Sequence, residues 1–309
     1  MKIKAFTLVE IIITIVIMGI LSAGTLISIK HLYLKVAKSK TISDLSSDSQ
    51  VVTDQISALL YNRVPSSVIG YKNNGTFDSI YNLNSTYNVV EWIGVASEAQ
   101  KAGYYSGFVD LNRSDRATNT IYSPDINKTA LSGVIVDKFS DVNSSDFALV
   151  FAGSFDDGSL ALSSDFNSSF GWHGNLHNQI ETIKRINDNN ITFASTPKEI
   201  YEKYYLVDSA YAIARGVDIN LNANCIKKLN RSDANTLFLF YNYRPWQGKT
   251  FCADSNGVKQ DGNVTILSFN TKGFEAVLEN DSIRFSVTLQ KHIKGSENNI
   301  TISKQKVVF

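Results

Sequence analysis

The chain has little of what marks most enzymes and nucleic-acid-binding proteins. Its 309 residues include 30 Lys or Arg and 29 Asp or Glu, so the net charge is only +1, and no basic excess supports general nucleic-acid binding. It lacks a glycine-rich phosphate loop, an HExxH segment and a Gly-x-Ser-x-Gly turn, which are common signatures of catalytic sites. We therefore predict no enzymatic activity and no cofactor.

Histidine is also scarce, with four in the chain. His173 and His177 are four residues apart, a spacing that would put both on one face of a helix, but Gly171 and Gly174 favour a loop. No Cys completes a ligand set beside them, so we predict no metal site. Residues 156–158 read Asp-Asp-Gly, which fits a tight turn better than a Ca²⁺ loop because spaced oxygen donors are missing.

The chain does have a long apolar run close to its first residues. Residues 1–29 begin with the lysines Lys2 and Lys4 and continue with an apolar run that holds one ionisable residue, Glu10. The run is long enough to span a bilayer, which needs about 20 apolar residues, and it exceeds the about 7–15 residues of a secretory signal core. A carboxylate in a membrane helix costs about 2.5–3.5 kcal/mol, so Glu10 is a candidate functional residue.

The segment Phe6-Thr7-Leu8-Val9-Glu10, placed after a short basic leader, resembles the class III signal of type IV pilins and pseudopilins. The resemblance implies cleavage between Ala5 and Phe6 and N-methylation of Phe6, both by a membrane prepilin peptidase. The family usually has Gly before the cut, and the small side chain of Ala5 still fits a narrow peptidase subsite.

The same resemblance implies an assembly role for Glu10. Its carboxylate would pair with the amino terminus of Phe6 in a neighbouring subunit, so that each charge offsets the burial cost of the other. The alternative is a glutamate that only reaches the lipid headgroups.

Lys2 and Lys4 predict a cytoplasmic N-terminus by the positive-inside rule. Four lysines after the run argue weakly against this, but they fit a solvated helix face: Lys30, Lys35, Lys38 and Lys40. We therefore expect a single-pass protein of the bacterial inner membrane with a periplasmic head, which later enters a filament. The expected partners are other pilin or pseudopilin subunits, the prepilin peptidase and the inner-membrane assembly platform.

The chain has two cysteines, Cys225 and Cys252, with 26 residues between them. In an oxidising compartment outside the inner membrane we expect a disulfide between them. Closing this loop would stabilise the head by about 3–4 kcal/mol. The alternative is two unrelated buried thiols.

Helical periodicity continues beyond the apolar run and predicts one helix from Phe6 to Val64, ended by Pro65. The apolar positions of its second half fall on one helical face and are Leu45, Val52, Ile56 and Leu59. The predicted domain organisation is a leader (1–5), a transmembrane half of the helix (6–29), an amphipathic half (30–64) and a β-rich head (66–309).

From Ser66 onward, alternating and short apolar runs separated by turn residues predict a mainly antiparallel β head, so the fold class is α+β. A weak helical pattern covers Leu176–Ile186, and the last two strands form a predicted hairpin. The predicted strands are Val89–Ala96, Tyr104–Leu111, Val134–Phe139, Phe147–Phe151, Tyr204–Ala214, Leu237–Tyr243, Val264–Phe269, Ile283–Leu289 and Ile300–Phe309.

The pattern Asp/Glu-x-Asn-x-Ser/Thr occurs more often than composition predicts, and it resembles the acceptor of a bacterial oligosaccharyltransferase. Turns that favour Asp, Asn and Ser together are the alternative. The candidate glycosylation sites are Asn143, Asn167, Asn190, Asn263 and Asn299.

The region from Tyr204 onward is similar to W-type minor pilins and J-type minor pseudopilins in three segments, Tyr204–Arg215, Val264–Phe269 and Ile283–Val287. A head of roughly 240 residues is large for a subunit that repeats densely around a thin fibre. We interpret the chain as a minor pilin or pseudopilin that primes or caps a filament for type II secretion, a type IV pilus or DNA uptake. A tip adhesin or binding module is the alternative, and a membrane-anchored enzyme is less favoured.

Overall fold

The protein has an α+β architecture, with a long N-terminal helix followed by antiparallel sheets, and this confirms the predicted fold class. The helices whose full bounds are described are α1 (Leu8–Tyr61), α2 (Ser97–Lys101) and α3 (Asn224–Lys227), and the described residues 129–131 and 166–167 are also helical. The structure is a computed structural model that describes residues 7–71, 77–79, 87–127, 129–131, 146–155, 166–229, 233–252, 259–260, 262–279, 282–293 and 298–309.

Helix α1 has 54 residues and is therefore about 81 Å long at 1.5 Å per residue. Its second half packs on the head through Leu45, Val52, Ile56 and Leu60. The predicted face is thus correct except at its end, where Leu60 is buried and Leu59 only partly so. The helix also ends at Tyr61, before the predicted Val64, and Pro65 opens a separate 3₁₀ turn.

The head contains sixteen strands among its described residues. In chain order they are β1 (Ile69–Tyr71), β2 (Phe77–Ser79), β3 (Val89–Val95), β4 (Asp110–Asp115), β5 (Thr120–Tyr122), β6 (Ala148–Phe151), β7 (Glu181–Asn187), β8 (Asn190–Phe193), β9 (Tyr204–Arg215), β10 (Leu237–Tyr243), β11 (Lys249–Thr250), β12 (Lys259–Gln260), β13 (Asn263–Ser268), β14 (Thr271–Glu279), β15 (Ser282–His292) and β16 (Asn299–Val308).

The largest sheet is organised around β9, its longest strand. One edge of β9 pairs with β3, and the other edge pairs with β6 near Tyr204 and with β10 near Arg215. The strand order is β2-β1-β3-β9-β6-β7-β8-β5-β4, with β13 added beside β10. A second sheet has the order β14-β15-β16, and β11 and β12 form a short parallel pair.

The large sheet is covered on both faces, as the alternation along β10 shows. Leu237 and Leu239 point to a core formed with α1 and the β14–β16 sheet. Phe238 and Phe240 point to the opposite core, which the segments 166–180 and 243–252 cover. A third core fills the end of the sheet around β5, β7 and β8. Because one face of α1 is part of the core, the helix position is fixed by the head.

Two sequence-based assignments differ from the structure. The predicted strand Tyr104–Leu111 is mostly irregular, and β4 begins only at Asp110, because Gly103 and Gly107 adopt left-handed φ values that break a strand. The predicted helical stretch Leu176–Ile186 contains instead the strand β7, which pairs with β8 across a turn.

The apolar residues Ile183 and Ile186 of β7 are buried, while Leu176, which precedes the strand, is exposed. Pairing with β8 therefore outweighed a weak helical pattern. The predicted strand Val134–Phe139 lies outside the described residues. Strands β1, β2, β5, β8, β11, β12 and β14 were not predicted, and most of them are short.

Candidate assembly surface

Helix α1 begins with a capping box formed by Thr7 and Glu10. The Thr7 backbone N–H and hydroxyl donate to Glu10 Oε2 over 2.9 and 3.1 Å, and the Glu10 N–H donates to Thr7 Oγ1 over 3.4 Å. This arrangement satisfies two of the N–H groups that a helix start leaves unpaired. The two hydrogen bonds that Thr7 donates both end on Glu10 Oε2, and none of the described residues donates to Glu10 Oε1. The carboxylate can therefore accept a hydrogen bond from another donor.

The first half of α1 is exposed on every side. Every residue from 7 to 33 is exposed, and Leu34 is the first that is partly buried. This part contains the one helix segment of the described chain that is long and apolar enough to cross a membrane, by length and composition. Such an apolar surface, which no other described segment covers, indicates burial in lipid or against other helices.

The predicted site residues fall into three groups. Ala5 and Phe6, the expected processing residues, lie outside the described residues. Cys225 and Cys252 form a disulfide with a Cα–Cα distance of 5.9 Å, which confirms the predicted pairing. It ties α3 to the end of segment 243–252, beside the core on the face away from α1.

The candidate glycosylation sites differ in their surroundings. Asn167, Asn263 and Asn299 are exposed, while Asn190 is half-buried and donates to the Asp188 carbonyl over 3.4 Å. Asn143 lies outside the described residues. Accessibility therefore favours the first three as acceptors.

The histidine pair does not converge on one site. His173, buried and with φ of 52°, places Nε2 2.7 Å from Glu91 Oε1, whereas His177 Nδ1 lies 3.2 Å from the Ile180 carbonyl oxygen. No metal-ligand cluster occurs within the part of the chain that the structure describes. Residues 156–158 lie outside it.

Glu91, which the sequence analysis did not select, is the centre of a buried polar network. It is fully buried in β3 and accepts from His173 and, over 2.8 Å, from the Tyr243 hydroxyl. The His173 ring stacks on Tyr71 at 4.3 Å. Burial beside Glu91 raises the pKa of Tyr243 well above its usual value. A glutamate within the apolar run VVEWIGV was the sequence signal for this network.

The head has two clefts with carboxyl groups of raised pKa. A cavity of about 240 Å³ contains Glu181, whose pKa burial raises. A smaller one of about 140 Å³ contains Asp208, whose pKa burial raises to about 6 against the opposing charge of Arg244. Tyr204 and Tyr243 are core residues, while Tyr205 and Tyr241 are partly buried at the edge of the cores.

Comparison with known proteins bears on the N-terminus alone. Residues 1–26 match the family model of the prokaryotic N-terminal methylation motif. This match supports a class III prepilin signal. It therefore supports a type IV pilin-like or pseudopilin subunit that is processed by a prepilin peptidase and assembles with other pilins. No curated protein and no solved structure gives a significant match to the chain.

Proposed function

We propose that this chain is a minor, non-enzymatic subunit of a type IV pilus-like filament, which primes or caps the fibre. It is made as an inner-membrane precursor with a cytoplasmic N-terminus and a periplasmic head. The peptidase cuts between Ala5 and Phe6 and methylates Phe6, and the helix then leaves lipid to pack among other subunits on the assembly platform. The machine serves secretion, a pilus or DNA uptake.

One observation carries this proposal: a methylation motif continues directly into an apolar helix segment that none of the described residues of the head covers. A head of three buried cores, supported by an eleven-stranded sheet among its described residues, adds bulk at one end of that helix. Dense repetition around a thin fibre favours small heads, so this bulk supports a terminal position. The similarity of the later strands to W-type and J-type subunits agrees with it.

The capping box allows a sharp test of the role of Glu10. Glu10→Gln keeps an oxygen acceptor for Thr7 and so retains the box, but it removes the charge that would pair with the Phe6 amine. Thr7→Val does the reverse, because it removes the hydroxyl and keeps the carboxylate. We expect both variants to be processed and inserted in the membrane, and only Glu10→Gln to be missing from filaments.

The measurement is immunoblotting of sheared filaments and membranes from cells that express each variant. Thr7→Val weakens the capping box at a cost of about 1 kcal/mol. Normal incorporation of this variant, together with loss of Glu10→Gln from filaments, would support the pairing role. Normal incorporation of Glu10→Gln would contradict it.

A second candidate function is a ligand-binding head at a filament tip. The 240 Å³ cavity supports it, because aromatic and polar groups meet there away from α1, as in sites for small polar ligands. Its lining includes Phe151, Asn178, Glu181, Lys198, Glu199 and Tyr201. Binding of an oligosaccharide array by the full chain, lost on Tyr201→Ala, would favour this function over a purely structural one.

A further inference from the structure

A cluster of basic residues follows the apolar segment of α1. Four lysines and one histidine occur within eleven residues, and α1 has no acidic residue between Glu10 and Asp44. All five side chains are exposed, and none of the lysines has a hydrogen-bond or ion-pair partner among the described residues. These residues are Lys30, His31, Lys35, Lys38 and Lys40.

The cluster begins at the depth where a membrane ends. Thr7 and Lys30 are separated by 23 residues of helix, which corresponds to about 35 Å. The hydrocarbon core of a bilayer is about 30 Å thick. If the start of α1 lies at one interface, Lys30 therefore lies at the headgroup level of the other.

The tertiary structure adds head residues at the same level. Lys304 Nζ donates to Gln50 Oε1 and Lys306 Nζ to Asp54 Oδ1, each over 2.8 Å, so β16 and α1 run in the same direction. Asn299 lies five residues before Lys304, which is about 17 Å along the strand. The same distance along α1, counted back from Gln50, corresponds to about eleven helix residues. The start of β16 thus lies beside the part of α1 near Ser39.

Two further observations place the β15–β16 hairpin there. Leu34, Ala37 and Thr41 are partly buried, and they lie on the side of α1 that continues into Leu45, which is buried against the head. Lys291 and His292, the exposed residues at the end of β15, pair with Ile300 and Asn299 at the start of β16. Lys294 and Glu297, which come between these two strands in the sequence, lie outside the described residues.

Most of the helix cluster faces the head side. At 100° per residue, Lys30, His31, Lys35 and Lys38 fall within an arc of about 140°. Leu45, which is buried against the head, lies within the same arc, whereas Lys40 lies on the opposite side of α1. The membrane-proximal basic surface therefore consists of the five helix residues, which surround α1 at this level, together with Lys291 and His292.

We propose that the membrane-proximal basic surface binds the phosphate headgroups of anionic phospholipids in the leaflet next to the head. This inference rests on the proposed membrane-held state. Lysines close to an anionic leaflet each strengthen binding by about five-fold. Such contacts would hold the waiting subunit at a fixed depth, and they would have to break when the helix moves into a filament.

In the proposed membrane-held state the surface lies next to a leaflet, which favours lipid over a free anion or nucleic acid. The test uses the full mature chain in detergent micelles that contain equal amounts of phosphatidylglycerol and phosphatidylcholine. Native mass spectrometry then gives the ratio of the two lipids retained. The basic-surface variant is K30Q/K35Q/K38Q/K40Q, and the matched control removes four exposed head lysines, K101Q/K184Q/K203Q/K227Q.

We expect phosphatidylglycerol to be enriched on the wild type and on the control, and the enrichment to fall at least about ten-fold in the basic-surface variant. Lys291→Gln should lower it by up to about five-fold. No enrichment on the wild type, or equal losses in the two quadruple variants, would overturn the proposal.

A second arm distinguishes nucleic acid from lipid. Fluorescent duplex DNA is titrated against the full chain in phosphatidylcholine nanodiscs, and we expect no binding that depends on the basic surface. DNA binding lost only in the basic-surface variant would reassign the ligand and overturn the lipid proposal. Both arms use single subunits, so their outcome is separate from the Glu10→Gln assembly test, which decides the proposed function.

Discussion

At the scale of single residues, the polar groups that matter most for stability are buried groups with few other hydrogen-bond partners. Glu91 is fully buried and has two donors, His173 and Tyr243. In a low-dielectric interior, removal of one member leaves the others without compensation. For Asp208 the neighbouring charge does not offset burial: burial raises the pKa of its carboxyl more than the positive charge of Arg244 lowers it.

Glu91→Ala should destabilise the head by about 3–5 kcal/mol, because it leaves His173 and Tyr243 buried without their acceptor. The measurement is denaturant unfolding of the full chain in micelles, followed by near-ultraviolet circular dichroism. Glu202→Ala, at an exposed position, is the control and should change stability by less than about 0.5 kcal/mol. Equal effects of the two variants would argue against a structural role for the network.

Asp208 gives a pH-dependent prediction. Burial raises its pKa in the folded protein to about 6, above the ordinary aspartate value of 3.8, so the fold favours the protonated carboxyl. Its contribution to stability is therefore greatest below about pH 4 and is lost as the pH rises through 6. Asp208→Asn should stabilise the head by about 1–3 kcal/mol at pH 7 and have little effect at pH 4.

Unfolding curves of wild type and Asp208→Asn between pH 4 and 8 check this prediction. Asp188→Asn, on the exposed turn between β7 and β8, should show no such trend. A stability difference that does not grow between pH 4 and 7 would show that the fold does not raise the pKa of Asp208.

At the scale of elements, long periodic segments were predictable and short ones were not. Helix α1, β9, β10 and the β15–β16 hairpin agree with the patterns in the sequence. Strand β7 did not follow its local helical pattern because it pairs with β8. The region before β4 is irregular because Gly103 and Gly107 adopt left-handed φ values. Helix α1 itself has two environments: its first half is exposed and its second half packs on the head.

The packed half of α1 should be sensitive to loss of volume. Ile56 is fully buried against the β14–β16 sheet, whereas Val51 on the same helix is 53% exposed. Ile56→Ala should cost about 2–5 kcal/mol of head stability, and Val51→Ala less than about 0.5 kcal/mol. Thermal unfolding of both variants in micelles measures the difference, and similar midpoints would show that α1 does not contribute to the core.

At the scale of the whole molecule, the chain combines a stable head with a helix segment that it leaves uncovered. The disulfide and the three cores hold the head without help from residues 8–33. That segment is thus free to exchange a lipid environment for a helical bundle without unfolding the head. Such a division suits a subunit that moves from membrane to filament.

Intact-mass analysis of the mature protein tests the processing scheme. We expect loss of the five leader residues, one added methyl group on Phe6 and a mass lower by two hydrogens for the Cys225–Cys252 disulfide. Glycans, if attached, would add mass at Asn167, Asn263 or Asn299 and disappear on Asn→Gln substitution there. A mature chain that still begins with Met1 would contradict the processing scheme.

The sequence by itself determined the apolar helix, its charged residue, the signal around it and the α+β class, because these depend on composition and period along one segment. The tertiary structure decided which residues share a site. Only folding brought Glu91 to His173 and Tyr243, and Lys304 to Gln50. Such contacts join residues far apart in the chain, and no local pattern carries that information, because it depends on how the sheets and α1 pack.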